Sequence, residues 1–159
     1  MKSIVIFYSL EGNCKLIANA ISKVLSSDIL ELKLKKEVPK KGPLKFLIGG
    51  RSAMTKASPE LATTIPDLSE YDLIFIGSPV WAGTFAPAIR TFASSAHLEN
   101  KEIAFFACSG GGSTEKCISD LKSIFEGNRF VGQTNFTNPL KDTTAASTEA
   151  AKLWAEGYK

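Results

Sequence analysis

The sequence contains few of the residues on which disulfides, metal sites and histidine-dependent catalysis rely. It has three cysteines (Cys14, Cys108 and Cys117) and a single histidine, His97, in 159 residues. Three cysteines cannot form a disulfide framework, and none of them stands at metal-ligand spacing from His97. His97 lies in a polar stretch where solvation is its expected role, so a serine hydrolase would lack a base. We expect reduced thiols, no metal site and a cytoplasmic location.

Long apolar runs are also missing. No run approaches the roughly 20 residues that a membrane-spanning helix requires. Residues 1–8 could begin a secretory signal, but the apolar run is too short, and Glu11 and Asn13 follow it without a cleavage-site pattern. We therefore expect no membrane partner, and we interpret this run as the first strand.

Several familiar phosphate-binding motifs are absent. A dinucleotide-binding G-x-G-x-x-G would follow the first strand, where only Gly12 stands, and residues 110–116 (GGGSTEK) do not match a P-loop. Residues 77–79 (GSP) replace the aspartate that a response regulator phosphorylates. Neither Cys14 nor Cys108 has an arginine at the C-x5-R spacing of a phosphatase.

Short apolar runs alternate with stretches of helical periodicity along the chain. This alternation is typical of parallel βαβ units, and it predicts one α/β domain over residues 1–159 with a doubly wound five-stranded parallel sheet of order 2-1-3-4-5. The predicted strands are 3–8, 28–34, 71–78, 101–108 and 129–136, and the predicted helices are 13–25, 84–96, 113–125 and 143–158. The irregular residues 35–69 contain one further predicted helix near 44–54.

Three loops follow strands one, three and four, and ligands of open α/β sheets bind at those strand ends. The first loop is Ser9, Leu10, Glu11, Gly12, Asn13 and Cys14. It leads into a helix whose free N–H groups and dipole suit a phosphate, and Ser9 and Asn13 can donate hydrogen bonds. The alternative is an ordinary turn with Asn13 as the N-cap.

The second loop places Trp81 between Pro79 and Gly83 at a strand end. This setting favours a partly exposed indole that stacks on a planar ring. The alternative is a tryptophan that packs under the next helix. The third loop has three consecutive glycines, Gly110, Gly111 and Gly112, which allow the backbone to line a ligand. The alternative there is a flexible link.

Residues 8–18 (YSLEGNCKLIA) and 78–87 (SPVWAGTFAP) resemble the flavodoxin family, and the resemblance spans essentially the whole chain. It implies FMN as the cofactor. The phosphate would be held by Ser9, Leu10, Glu11, Gly12, Asn13 and Cys14. One face of the isoalloxazine ring would be lined by Pro79, Val80, Trp81, Ala82, Gly83 and Thr84. The other face and the pyrimidine edge would be lined by Cys108, Ser109, Gly110, Gly111 and Gly112.

The resemblance implies an FMN-binding electron-transfer protein that exchanges electrons with redox partner proteins. The flavin supplies the redox chemistry, so no side chain is expected to be catalytic. Two alternatives stay open: a flavin-dependent NAD(P)H (quinone) reductase, and a flavodoxin-like binding domain with weakened flavin affinity. We favour a carrier over an NAD(P)H-dependent enzyme.

Charge is unevenly distributed along the chain. Residues 33–56 contain eight basic residues and one acid, a net charge of +7, whereas the other 11 basic and 15 acidic residues give −4. Flavodoxins that carry electrons are typically acidic throughout. The basic segment is either a solvated surface or a functional flap that attracts an acidic redox partner or a second phosphate, such as that of NAD(P)H. Few aromatic residues interleave with the lysines, so no nucleic-acid partner is expected.

The first loop departs from the common flavodoxin pattern, which has threonine where Glu11 and Cys14 stand. A thiol is a weak donor, and a carboxylate repels a phosphate unless it turns outward or a cation such as Lys15 offsets it. We predict that Glu11→Thr combined with Cys14→Thr tightens FMN binding, measured as the dissociation constant in a fluorescence titration. An unchanged or larger constant would contradict this expectation.

Overall fold

A computed structural model describes residues 1–141 and 143–159, and within them the chain forms six strands and five helices. None of the helices in these residues is long and apolar enough to cross a membrane. The strands are β1 (Ser3–Tyr8), β2 (Asp28–Leu32), β3 (Leu73–Trp81), β4 (Thr84–Phe85), β5 (Glu102–Ser109) and β6 (Arg129–Thr137). The helices are α1 (Asn13–Leu25), α2 (Leu44–Met54), α3 (Pro87–Ala96), α4 (Glu115–Ile124) and α5 (Thr144–Glu156).

The five long strands form a parallel sheet of order β2-β1-β3-β5-β6. In the centre of the sheet, Val5 of β1 pairs with Ile29 on one side and Phe75 on the other. The predicted doubly wound architecture is confirmed, because β5 and β6 are the fourth and fifth strands of the predicted order.

Both faces of the sheet are buried, which explains the nearly continuous apolar strands. Alternate side chains of β1 enter opposite cores. Val5 and Phe7 pack in a cluster with α1 and α5, whereas Ile4, Ile6 and Tyr8 pack in a cluster with α3 and α4. The helices therefore cover the faces, and the strand ends remain free to build a site.

The sequence prediction missed β4 and began α3 three residues too early. Strand β3 continues past Ser78 to Trp81, and a turn at Ala82 and Gly83, with φ of 49° and 79°, returns the chain as antiparallel β4. Such a two-residue turn with positive φ is favoured in hairpins. The Ser78 hydroxyl fixes the hairpin, because it donates to the Pro79 carbonyl (2.9 Å) and accepts from the Ala86 N–H (2.8 Å).

The irregular segment is tied to the sheet edge rather than loose. Strand β2 ends at Leu32, before the predicted residue 34, and Leu34 forms an isolated antiparallel bridge with Leu61. The Lys35 N–H donates to the Glu60 carbonyl at 3.0 Å. Helix α2 is present where it was predicted, at Leu44–Met54.

Gly77 lies in the centre of β3 because no larger residue fits there. A Cβ at this position would lie 2.0 Å from the Phe106 ring, and Phe106 is fully buried. We predict that Gly77→Ala lowers the free energy of unfolding by about 1–3 kcal/mol, measured by urea denaturation. In contrast, a Cβ at Gly50 of α2 would meet no atom within 4 Å. Gly50→Ala should therefore raise the free energy of unfolding by roughly 0.5–1 kcal/mol, because alanine is the better helix former. Equal effects at the two positions would contradict the packing argument.

Candidate functional site

A cavity of about 490 Å³ lies where the loops after β1, β3 and β5 meet. This volume is within the range of small-molecule sites in proteins. The structure brings twelve of the seventeen sequence-predicted residues to its wall: Ser9, Leu10, Glu11, Asn13, Cys14, Pro79, Val80, Trp81, Ala82, Cys108, Ser109 and Gly110.

The other five predicted residues do not line the cavity, so their direct contact with a ligand stays a prediction. They are Gly12, Gly83, Thr84, Gly111 and Gly112. Gly12 has a φ of 102° and precedes α1, where this positive φ favours glycine. The Thr84 hydroxyl donates to the Asp120 carboxylate of α4 at 2.5 Å, so it is committed to helix packing.

Sequence reasoning missed five residues of the cavity wall. Lys45, Phe46 and Gly50 come from α2, and Asn138 and Lys141 come from the loop after β6. The basic segment was a signal for α2, but nothing in its sequence indicated that the helix reaches the strand ends.

The first loop is held in place by its own side chains and by the loop after β6. The Ser9 hydroxyl accepts from the N–H groups of Gly12 (3.1 Å) and Lys15 (3.2 Å). The Asn13 side-chain oxygen accepts from the Leu140 N–H at 3.0 Å. The N-cap residue of α1 is Gly12, which has no side chain, so the alternative that Asn13 caps the helix is wrong.

Glu11 forms an ion pair with Lys45 of α2 at the edge of the cavity. Lys15, the cation expected to offset Glu11, instead pairs with Glu31 at 2.9 Å. Burial raises the pKa of the Glu31 carboxyl, but hydrogen bonds from Lys33 and Lys15 outweigh it and hold that pKa below its ordinary value. Lys15 is thus paired with Glu31, and Lys45 is the cation that compensates Glu11.

Trp81 is positioned by three elements. It ends β3 in the hairpin, its ring packs edge-on against Tyr8 (centroids 5.6 Å apart, 89° between planes), and Gly49 of α2 approaches it closely. A Cβ at Gly49 would lie 3.5 Å from the indole. The Tyr8 hydroxyl donates to the Glu37 carboxylate at 3.0 Å, and burial, followed by the Glu37 charge, raises the Tyr8 pKa. The indole therefore has a fixed, partly buried position.

Ser109 carries a polar atom without a partner. Its hydroxyl is buried and neither accepts nor donates a hydrogen bond among the described residues. Ser109 as a whole is 8% exposed and belongs to the cavity wall. The neighbouring backbone is fixed, because the Asn138 N–H donates to the Ser109 carbonyl (2.9 Å) and its side-chain amide to the Gly110 carbonyl (3.0 Å). An unpaired buried hydroxyl costs about 1–3 kcal/mol, and a polar ligand would offset this cost.

Two of the three cysteines have raised pKa values, and the described residues contain no metal cluster. Burial raises the pKa of Cys14, a residue that is 1% exposed, well above its ordinary value. Burial also raises the pKa of Cys117, to about 12. Both therefore remain thiols near neutral pH and are poor nucleophiles. No three His, Cys, Asp or Glu residues in residues 1–141 and 143–159 could hold a metal ion together.

The arrangement suits a flat, polar ring that carries an anionic group. Trp81 and Phe46 supply aromatic surface, Ser109 and Gly110 supply polar and backbone groups, and the start of α1 supplies a positive dipole end. Glu11, Lys45 and Lys141 give the wall a net charge of +1, because Lys45 compensates Glu11.

Solved structures with the same fold include FMN-binding proteins. A flavoprotein from Lactobacillus acidophilus, solved in complex with FMN, is 25% identical and has a TM-score of 0.75, over 90% of this chain and 98% of that one. A Bacteroides uniformis protein (22% identical, TM-score 0.81, 98% and 97% covered) and the Megasphaera elsdenii flavodoxin (18%, 0.62, 97% and 98%) share the fold.

The family comparison covers most of the chain. No curated protein sequence matches it. A family model described as flavodoxin matches residues 2–142. The chain therefore belongs to the flavodoxin family.

Proposed function

We propose that this protein binds FMN and serves as an electron carrier between redox proteins, with residues 1–159 acting as one flavodoxin-like domain. The cavity at the strand ends, with Trp81, Ser109 and the start of α1 on its wall, is the observation that carries the proposal, because it offers an aromatic face, polar groups and a positive dipole end together. The Lactobacillus acidophilus flavoprotein, solved with FMN, supports the choice of ligand. The cytoplasmic location stays a prediction.

Each part of the wall would have a separate task. The loop from Ser9 to Cys14 would receive the phosphate beside the N-terminus of α1, with Lys45 as a nearby cation. Trp81 would cover one face of the ring, and Ser109 would hydrogen-bond to its polar edge. When bound, FMN would supply one- and two-electron redox chemistry, and the chain would bind, orient and shield it.

A flavin-dependent NAD(P)H reductase is the second candidate function. Such an enzyme needs a site for NAD(P)H in addition to the flavin site. The eight cations of residues 33–56, of which Lys45 lines the cavity, favour it, because they could bind a second phosphate. A separate hollow of about 520 Å³ does not support a dinucleotide site, since its wall contains the acids Glu60 and Asp67 and no cation. We therefore prefer the carrier.

An anaerobic FMN titration tests the proposal, with flavin fluorescence and the visible spectrum as readouts and NADH and NADPH added at the end. Quenching of FMN without bleaching supports a carrier, whereas bleaching by either nucleotide indicates a reductase. No quenching would mean that the flavin assignment is wrong. Riboflavin, which lacks the phosphate, is the matched ligand control.

Ser109→Ala should separate ligand binding from stability. We expect FMN affinity to fall about fivefold, because one hydrogen bond of ~1 kcal/mol is lost. The ligand-free variant should be as stable as the parent or more stable, because an unsatisfied buried hydroxyl has been removed. Ser78→Ala, which removes a satisfied hydroxyl, should instead lower stability. Unchanged FMN affinity in Ser109→Ala would show that this hydroxyl does not contact the ligand.

Glu11 and Lys45 should have opposite effects on FMN affinity. We attribute the tightening expected from the double threonine variant to Glu11, since Cys14 is buried and uncharged. Glu11→Gln should tighten FMN binding about three- to tenfold and Lys45→Gln should weaken it by a similar factor, with both effects shrinking in salt.

Riboflavin binding and Glu60→Gln are the controls for this pair. Riboflavin affinity should change little in either variant, because the interaction is with the phosphate. Glu60 also pairs with a lysine, Lys35, but lies outside the cavity, so Glu60→Gln should leave FMN affinity unchanged. Equal changes for FMN and riboflavin would mean that Glu11 and Lys45 act on the fold of the loop rather than on the phosphate.

A further inference from the structure

Helix α2 presents apolar side chains to solvent instead of burying them. Only Gly49 and Ala53 of this helix are buried. Its large apolar side chains are 40 to 74% exposed, and they are Leu44, Phe46, Leu47, Ile48 and Met54. An exposed apolar patch rimmed by polar residues is typical of an interaction site.

Positively charged residues without partners among the described residues stand within α2 and on both sides of it along the chain. Lys33, Lys35 and Lys45 have acidic partners within the described residues. The remaining cations of the segment form no ion pair with any residue in 1–141 or 143–159, and they are Lys36, Lys40, Lys41, Arg51 and Lys56. We call the exposed apolar residues of α2 together with these five cations the α2 surface.

The α2 surface borders the cavity. Phe46 belongs to both, since it is 73% exposed and also lines the cavity wall. Lys45 and Gly50 of the same helix line the wall as well, and Gly49 lies against Trp81. A protein bound to this helix would therefore lie within a few side chains of a flavin in the cavity.

We propose that the α2 surface binds an acidic redox protein. The apolar part of the contact is centred on Phe46 and Leu47, and the partner's carboxylates lie around it. The inference rests on the proposed FMN carrier function. The rest of the chain carries −4, so an acidic partner is repelled from other faces and steered to this one. Each encounter moves one electron between the reduced cofactor and the partner's oxidised haem or metal centre, with no covalent bond made or broken and protons exchanged with water.

An anionic membrane would also attract lysines and apolar side chains, but its fit to this surface is poorer. Helix α2 has only 11 residues, and it adjoins the cavity, so a lipid surface would cover the site without accepting electrons. A protein partner uses both the charge and the position of the helix.

The test uses the full chain reconstituted with FMN, reduced anaerobically and mixed with cytochrome c in a stopped-flow instrument. Native cytochrome c is basic, and succinylated cytochrome c presents the same haem in an acidic surface. We expect the acidic form to be reduced at least about tenfold faster at low ionic strength, and this advantage should decline as salt increases.

Charge-matched variants locate the effect. Lys40→Glu combined with Lys41→Glu should remove the preference for the acidic form without changing FMN affinity, because neither lysine lines the cavity. Lys23→Glu combined with Lys122→Glu changes the net charge equally on α1 and α4 and should keep the preference. Leu47→Ser combined with Met54→Ser should slow reduction of the acidic form at all salt concentrations.

Four outcomes would overturn the docking proposal. The α2 surface does not recognise acidic partners if FMN binds but native cytochrome c is reduced as fast as the acidic form. The same conclusion follows if the variant of Lys23 and Lys122 loses the preference as fully as the variant of Lys40 and Lys41. Binding to vesicles containing phosphatidylserine, with no preference between the cytochromes, would assign the surface to a membrane instead. Failure to bind FMN would overturn the carrier function and the docking together.

Discussion

Because β1, β3 and β5 are buried on both faces, polar chemistry in this chain is confined to the loops at their ends. The strands are parallel, so their carboxyl ends lie at one edge of the sheet, and the register places Phe7, Gly77 and Phe106 side by side just before the loops begin. The close contact between Gly77 and the Phe106 ring shows how little variation the sheet itself tolerates. The sheet thereby fixes where the loops start, and the loops determine what can bind.

Contacts within the chain hold Trp81 and the start of the third loop in place. Trp81 is held by the hairpin, by Tyr8 and by the close approach of α2, and the third loop is anchored by Asn138. Rigid binding groups lose less entropy on association, so this order favours affinity. The hydroxyl of Ser109 has no partner among the described residues, so a water or a polar ligand group that reached it would stabilise the protein.

The sequence was sufficient for the parallel sheet and its strand order, because buried strands and amphipathic helices have strong local patterns. It was insufficient where a position depends on distant residues. Strand β4 has two residues, too few for a pattern, and exists because the turn at Ala82 and Gly83 returns the chain. Asn13 was predicted to bind a phosphate or, as the alternative, to cap α1, but the distant Leu140 N–H donates to its side-chain oxygen. Likewise Lys15 is adjacent to the first loop, yet Glu31 on the neighbouring strand binds it and leaves Glu11 to Lys45.

The position of Lys45 links the two proposed sites. It pairs with Glu11 in the proposed phosphate loop, and it belongs to the helix that carries the proposed docking surface. A phosphate beside Glu11 would compete for the same ammonium group, so binding there would change how firmly α2 is tied to the first loop. An acidic partner that draws on the same cation would have the corresponding effect on the phosphate. Thermodynamic linkage requires that the partner changes FMN affinity by the same factor by which FMN changes partner affinity. A partner that weakens FMN binding must therefore itself bind more weakly to the FMN-loaded protein.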